Sequence, residues 1–441
     1  SYVKQVWDGR YTGIRMCNQL LENIDRVPDL DPELKKRYIG EAKVLRAYNY
    51  YELYTKFGDV PYTTKVLSIK ESMSIARTAK ATVIANVLAD LDEVINGNYL
   101  PTSYDADNKG RITRWAAMAI KAKIYLFEGN WTQVKNITST IMTEGGFKLF
   151  GSYAGLFEIA NEYNSEVILD AQYRPTSREH QMMYVFLPPT LGGYSQLSPL
   201  QELVDSYIML DGKTIKETGT SFDESHPYAN RDPRLKATVM YTGNSYTLAD
   251  GTEVVINCEK GEGKDGYGVG SDCSATGYYI KKYWDNTYRA TLYSGLNPIL
   301  IRYADILLMN AEALAELGEL DKTAWDATIK PIRDRAGFTL ASALEFPEGA
   351  SKDKLIEIVR NERRSELALE GHRHKDIIRW RIADNVLNGW CHGLKTNDVV
   401  GTDDGYVRVE NRTFNANKHY LWPIPQAERD LNGNLEQNPN W

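Results

Sequence analysis

"EAKVLRAYNYYELYTKFGDVPY", residues 41–62, is the stretch on which the fold turns. Asp31-Pro32 opens the helix that runs into it, with Asp as N-cap and Pro at the first helical position. Gly58 supplies a left-handed stop and Pro61 prevents resumption. Tyr48, Tyr50, Tyr51 and Tyr54 fall within barely two turns. At those offsets they point in several directions around the helix, not along one stripe. A helix that is aromatic nearly all round needs neighbours on several sides, and the inner helix of a superhelix of helical pairs has them. The four tyrosines are therefore read as packing residues, not ligand-stacking ones, and each buried hydroxyl needs a partner.

The flanking sequence supports paired helices. Trp7, Tyr11, Ile14, Asn18 and Leu21 fall on one face of a first helix. A third helix is predicted over residues 79–95, with Thr78 as its cap. "AIKAKIYLFEGNWTQVKNITSTIM" and "LMNAEALAELGELDKTAWDATIKPIRDRAG" then repeat one design: Ala122 and Gly129 are spaced as Ala311 and Gly318 are. The small Ala lets two helices approach and the Gly turns the chain, the logic of tetratricopeptide (TPR) units. The repeats are not in tandem. Between them, residues 145–298 are rich in Gly, Pro, Tyr and Asn. "SEVILDAQY" and "YYIKKYWD" read as short strands, and "LPPTLGGYSQLSPL" and "NCEKGEGKDGYGVGSDCSATG" as long loops, a kind that is often functional.

Composition narrows the function. A net charge of −7 with no long block of either sign argues against nucleic acid. No run reaches the roughly 18 apolar residues of a membrane span. "SYVKQVWDGR" has no apolar core of a signal peptide and the chain starts on Ser, so targeting information is expected to lie outside these residues. Cys17, Cys258, Cys273 and Cys391 form no CxxC pair. Cys258 and Cys273 flank a Gly-rich stretch and suit either a loop-closing disulfide or two unrelated thiols. His372 and His374 form an H-x-H pair near Asp376, but i,i+2 residues of a helix face apart and no third ligand is evident. No metal and no cofactor is expected. No G-x-S-x-G, H-E-x-x-H or P-loop occurs, and no carboxylate pair is singled out for glycoside hydrolysis. In the late segment "LIEIVRNERRSELALEGHRHKDIIRW", Arg363, Glu366, Glu370 and Arg373 share a helical face and read as an ion-pair ladder or a solvated charged face. The tail, with Pro423-Ile424-Pro425, Asn432-Gly433 and Trp441, is expected to dock on the body.

Several of these segments, in order along nearly the whole chain, resemble the SusD/RagB-like nutrient-binding proteins. "EAKVLRAYNYYELYTKFGDVPY" looks like that family's E-A-x-x-x-R-A block ending in F-G-D-V-P. "GRITRWAAMAIKAKIYLFEGNW", "NPILIRYADILLMNAEALAELG", "IRDRAG", "RNERRSELALEGHRHKDIIRW" and "YLWPIPQAERDLNGNLEQNPNW" follow as its later blocks. The resemblance implies a mostly α fold: a TPR-like helical hairpin scaffold with a large loop-rich insertion containing short strands. Residues 1–144 would be the N-terminal scaffold, 145–298 the variable ligand-binding region, and 299–441 the C-terminal TPR-like helices with a docked tail, in one integrated unit. It also implies a non-catalytic protein, lipid-anchored on the outer-membrane surface, that captures oligosaccharides for a TonB-dependent transporter. A peptide-binding or protein–protein module of the same transporter complex is the alternative. The sequence departs from the family in two places. The anchoring cysteine is not among these residues, since Cys17 falls mid-helix, and His374-Lys375 stands where the family usually carries an aromatic pair.

Sugar recognition needs aromatic faces for C–H surfaces and planar polar groups for hydroxyls. Those types occur together in the variable region: Trp284, Asn286, Tyr288 and Arg289 in "KKYWDNTYR", Tyr194 and Gln196 on a Gly-rich loop, and Tyr267 between the two cysteines. Trp7 is added from the first helix. Trp284 equally suits packing a strand against a helix, and Trp7 suits a helix interface.

Overall fold

Asp31 accepts a hydrogen bond from Leu34 N, and Pro32 opens a helix that runs unbroken to Phe57. The computed structural model describes residues 1–287 and 292–441. They fall into two compact units, one of residues 1–145, 374–387 and 414–441, the other of residues 146–373 and 388–413.

The first unit is built on α1 (Tyr2–Asn23), α2 (Pro32–Phe57), α3 (Lys80–Asn96), α4 (Arg114–Phe127) and α5 (Trp131–Glu144), each packed on the next. Helix α2 is the inner one. Tyr50, Tyr51, Tyr54 and Phe57 are buried, with Val44 and Ala47 on other sides of the same helix. Their rings meet edge to face, Tyr51 and Tyr54 each 6.4 Å from Phe127. The Tyr50 hydroxyl donates to Thr63 O at 2.9 Å and accepts from Thr63 N at 2.8 Å. The Tyr54 hydroxyl, by contrast, is buried without a partner. Gly58 ends α2 at φ 71°, ψ −119°, a positive-φ conformation other than the left-handed helical one expected. Thr78 does not cap α3. The residue before that helix is Ala79, and its first amide, Lys80 N, is satisfied by Asp59 Oδ1 from the Gly-Asp-Val-Pro turn. The tail docks as expected. Trp422 N donates to Lys56 O at 2.7 Å, and Asn438 Nδ2 donates to Phe57 O and Trp422 O. At the place where the aromatic pair is missing, the His374 ring sits 5.9 Å from Trp422, and Lys375 Nζ lies 2.6 Å from Glu52 Oε1 and over the Tyr51 ring.

The second unit carries the other helical hairpin, α6 (Tyr303–Leu317) and α7 (Lys322–Ala336), turned by Gly318 at φ 74°, with α8 (Lys352–Glu366) packed on both. Its strands are short: β1 (Val167–Asp170), β2 (Val239–Met240), β3 (Ser245–Thr247), β4 (Glu253–Val255), β5 (Tyr279–Ile280), β6 (Ile299–Arg302), β7 (Gly389–Lys395), β8 (Thr402–Asp403) and β9 (Tyr406–Arg412). They pair antiparallel as β1–β6, β2–β5 and β3–β4, with a three-stranded sheet in the order β7-β9-β8. Of "YYIKKYWD" only Tyr279–Ile280 is strand.

The expected ion-pair ladder is not what the charged segment forms. Helix α8 ends at Glu366, so Glu370 lies beyond it, and the charges turn inward. Arg302, at the end of β6, reaches Glu166 at 2.7 Å, Glu366 at 2.6 Å and Glu370 at 2.7 Å. Arg335 joins Glu166 and Glu366, Lys282 joins Glu370, and Arg234 joins Asp232 and Glu366. Arg363 pairs with Asp305. Buried charges persist only when paired, and every charge of this network is paired, by residues spread over about 200 positions of sequence, although Arg335 Nε itself has no hydrogen-bond partner among the described residues.

Candidate functional site

The Gly-rich loop "LPPTLGGYSQLSP" folds back over the short helix Met182–Phe186. Gly192 turns the chain at φ 84°. At Gly193 a Cβ would stand 2.1 Å from Leu187 O, so only glycine allows that backbone approach. Tyr194 N then donates to Tyr184 O at 3.0 Å and Leu197 N to Val185 O at 3.1 Å. These bonds lay the Tyr194 ring on Tyr184, centroids 4.3 Å apart with 29° between planes. Tyr194 is 41% exposed, and Gln196 and Leu197 beside it are exposed too. The loop is held from outside as well: Asp265, buried in the second Gly-rich loop, accepts from Thr190 N at 2.7 Å, while its carbonyl takes the Tyr279 hydroxyl at 2.5 Å.

The second loop brings Tyr267 half-buried against the same apolar cluster, which includes Tyr246, Cys258, Tyr278 and Tyr279. Tyr267 N donates to Cys258 O, and Tyr267 O accepts from Gly261 N. The loop is closed by these backbone bonds. Cys258 and Cys273 are unbridged thiols, and Cys273 Sγ donates to Lys264 O at 3.3 Å. Burial pushes the Cys258 thiol up to about 12.

Trp284 packs against that cluster too, its ring 4.9 Å from Tyr246 and its indole N–H donated to Thr247 O at 2.9 Å. Asn286 is exposed. Tyr288 and Arg289 lie outside the described residues. Tyr184, Tyr267 and Trp284 thus surround one cluster, with Tyr194 stacked on the first of them. Trp7 belongs to the other unit. It is 4% exposed, edge-on to Phe57 and 4.9 Å from Tyr11, on the wall of a groove of about 380 Å³ that Asp8, Thr12 and Arg15 also line.

Sequence reasoning did not single out Tyr184 or Asp265. Both act through a loop that folds back on an earlier segment, and no local spacing signals that. A second stacked pair, Tyr228 on Tyr241 at 3.9 Å and 17°, was missed for the same reason. The arrangement offers a flat, partly exposed ring on a backbone pinned by main-chain bonds, with an exposed glutamine two residues on. That chemistry is suited to noncovalent recognition.

Comparison with known proteins gives the same family along the chain. Residues 156–441 match the family described as "SusD family", and residues 1–126 match one described as "Starch-binding associating with outer membrane". A SusD-like protein, P25, of Formosa agariphila is 28% identical over 409 residues, covering 87% of this chain and 71% of that one. The crystal structure of a SusD-like carbohydrate-binding protein from Bacteroides fragilis superposes with a TM-score of 0.88 at 29% identity, covering 99% of this chain and 86% of that one. A laminarin-binding SusD-like protein superposes at 0.69 with 25% identity, covering 99% and 85%. The chain belongs to the SusD family.

Proposed function

We propose that this member of the SusD family binds oligosaccharides at the cell surface and passes them, chemically unchanged, to a TonB-dependent outer-membrane transporter. The observation that carries the reading is the Tyr194 ring, stacked on Tyr184 and 41% exposed, with the exposed Gln196 two residues along the same loop. A pyranose C–H face lies flat on such a ring, and the amide pairs with hydroxyls. Because Gly193 and the bonds to Tyr184 and Leu187 fix the loop beforehand, little ordering cost falls on binding. The relatives' carbohydrate-binding descriptions and the family's stated outer-membrane association support the same reading. In it the chain is held to the membrane by a lipid anchor outside these residues.

The test is calorimetric titration with a panel of neutral β- and α-glucan oligosaccharides, alongside product analysis. Tyr194→Ala is expected to weaken binding about two- to tenfold, the loss of a stacking contact of roughly 0.5–1.5 kcal/mol. Full-strength binding by this variant would remove the platform. Released shorter sugars would remove the non-catalytic reading. Binding to a peptide library and to no glycan would replace the ligand class.

A further inference from the structure

We propose a second binding site, in the helical unit, for an anionic saccharide: the cavity beside the end of α2 that carries Arg381, Lys418 and Tyr54 on its wall. That the ligand is a saccharide rests on the reading above; that it is anionic rests on the cavity alone.

The cavity has a volume of about 720 Å³, within the range of about 300–1,000 Å³ usual for small-ligand sites. Tyr54, Phe127 and Tyr420 supply aromatic surface. Five of the lining residues are cationic and two, Asp59 and Glu436, acidic, in a chain whose net charge is −7. Three of the cations are committed within the fold. Arg77 donates to Phe57 O, Asp59 O and Glu436 O, Lys80 pairs with Glu128 at 2.9 Å, and Arg379 pairs with Asp376 at 2.9 Å. Asp59 is committed too, to Lys80 N.

Arg381 and Lys418 are not so committed. Arg381 lies 4.4 Å over the Tyr420 ring and Lys418 4.2 Å over the Trp441 ring. Each ring contact orients its cation while leaving the N–H donors available. Tyr54 lines the cavity with its ring, while its hydroxyl is shielded from solvent. Two spare cations and flat rings together match a carboxylate- or sulfate-bearing sugar.

The test titrates the full chain with trigalacturonate, a sulfated chondroitin disaccharide and fully methyl-esterified trigalacturonate. At least one acidic sugar is expected to bind and the ester is not. Raising salt from about 50 mM to about 500 mM should weaken that binding roughly tenfold, as screening requires. The pair Arg381→Gln and Lys418→Gln is expected to lower acidic-sugar affinity at least tenfold and to leave neutral-glycan binding intact. The proposal is overturned if neither acidic sugar binds, if the double variant binds as well as the parent, or if Tyr194→Ala abolishes acidic-sugar binding instead. Full-strength neutral-glycan binding by Tyr194→Ala, with acidic-sugar binding behaving as expected, would overturn only the Tyr194 platform.

Discussion

Arg302 Nη1 lies 2.6 Å from Glu366 Oε1, with both side chains removed from solvent. Glu366 also takes Arg234 and Arg335. Removing it takes one carboxylate partner from each of three buried guanidinium groups. Glu366→Ala is therefore expected to cost about 3–5 kcal/mol, the usual loss when one partner of a buried charge pair is deleted. Urea unfolding measures it, and a loss below about 1 kcal/mol would mean the network is wetter than the structure shows.

The same carboxylate predicts acid sensitivity. Burial by itself would raise the Glu366 pKa, but Arg335, Arg302 and Arg234 outweigh it and hold the carboxyl below its ordinary range. The folded-state value is thus below the unfolded one. Its contribution is present above about pH 4.3 and lost as pH falls further. Urea midpoints taken from pH 7 down to 3 should be level at first and then fall steeply. Glu366→Gln should flatten that fall.

His392 predicts the opposite slope. Its Nδ1 lies 2.8 Å from Glu202 and its Nε2 3.1 Å from Asp403, whose other oxygen is held by Arg408. Burial lowers the imidazole pKa, but bonds to Asp403 and Glu202 more than offset it, and the net shift is upward. A raised folded-state value stabilises fully below the unfolded value of about 6.5 and fades as pH rises through the higher one. Amide exchange in β7–β9, corrected for the intrinsic rate, should quicken on the alkaline side. In His392→Gln that extra pH dependence should vanish.

Two neighbouring tyrosines of α2 should respond differently to loss of their hydroxyls. Tyr50→Phe leaves Thr63 N without its acceptor, and Thr63 O with Asn18 Nδ2 as its remaining donor, and should cost about 1–3 kcal/mol. Tyr54→Phe removes a hydroxyl with no partner and should be neutral or slightly stabilising in the unliganded protein. Equal losses in thermal melts of both variants would contradict the assignment.

Trp284 and Tyr194 separate packing from display. Trp284→Ala removes contacts with Tyr246 and the bond to Thr247 O, and should cost about 2–4 kcal/mol. Tyr194→Ala, at an exposed ring, should stay within about 1 kcal/mol of the parent. Denaturant midpoints of the two variants, compared side by side, check this.

Much of the helical frame was legible locally. Asp31-Pro32, the Gly318 turn and the all-round aromatic face of α2 each carry their cause within a few residues, because caps, φ preferences and the 3.6-residue period are short-range effects. The site was legible only in residue type. Tyr194 was nominated for its ring and its Gly-rich loop, yet Tyr184, which gives that ring its orientation, stood unnoticed ten residues earlier.

By itself, the sequence determined where α2 begins and stops, the Gly318 turn between α6 and α7, the aromatic faces of α2, and the family to which the order of these segments belongs. Tertiary structure alone decided where the charges of the late helix went and which side chain capped α3. Glu366 meets Arg302 and Arg335 across distant segments, and Asp59 rather than Thr78 serves Lys80 N. Buried polar groups must be satisfied by whatever partner the fold brings within about 3 Å. That partner is set by chain return, to which local sequence is blind.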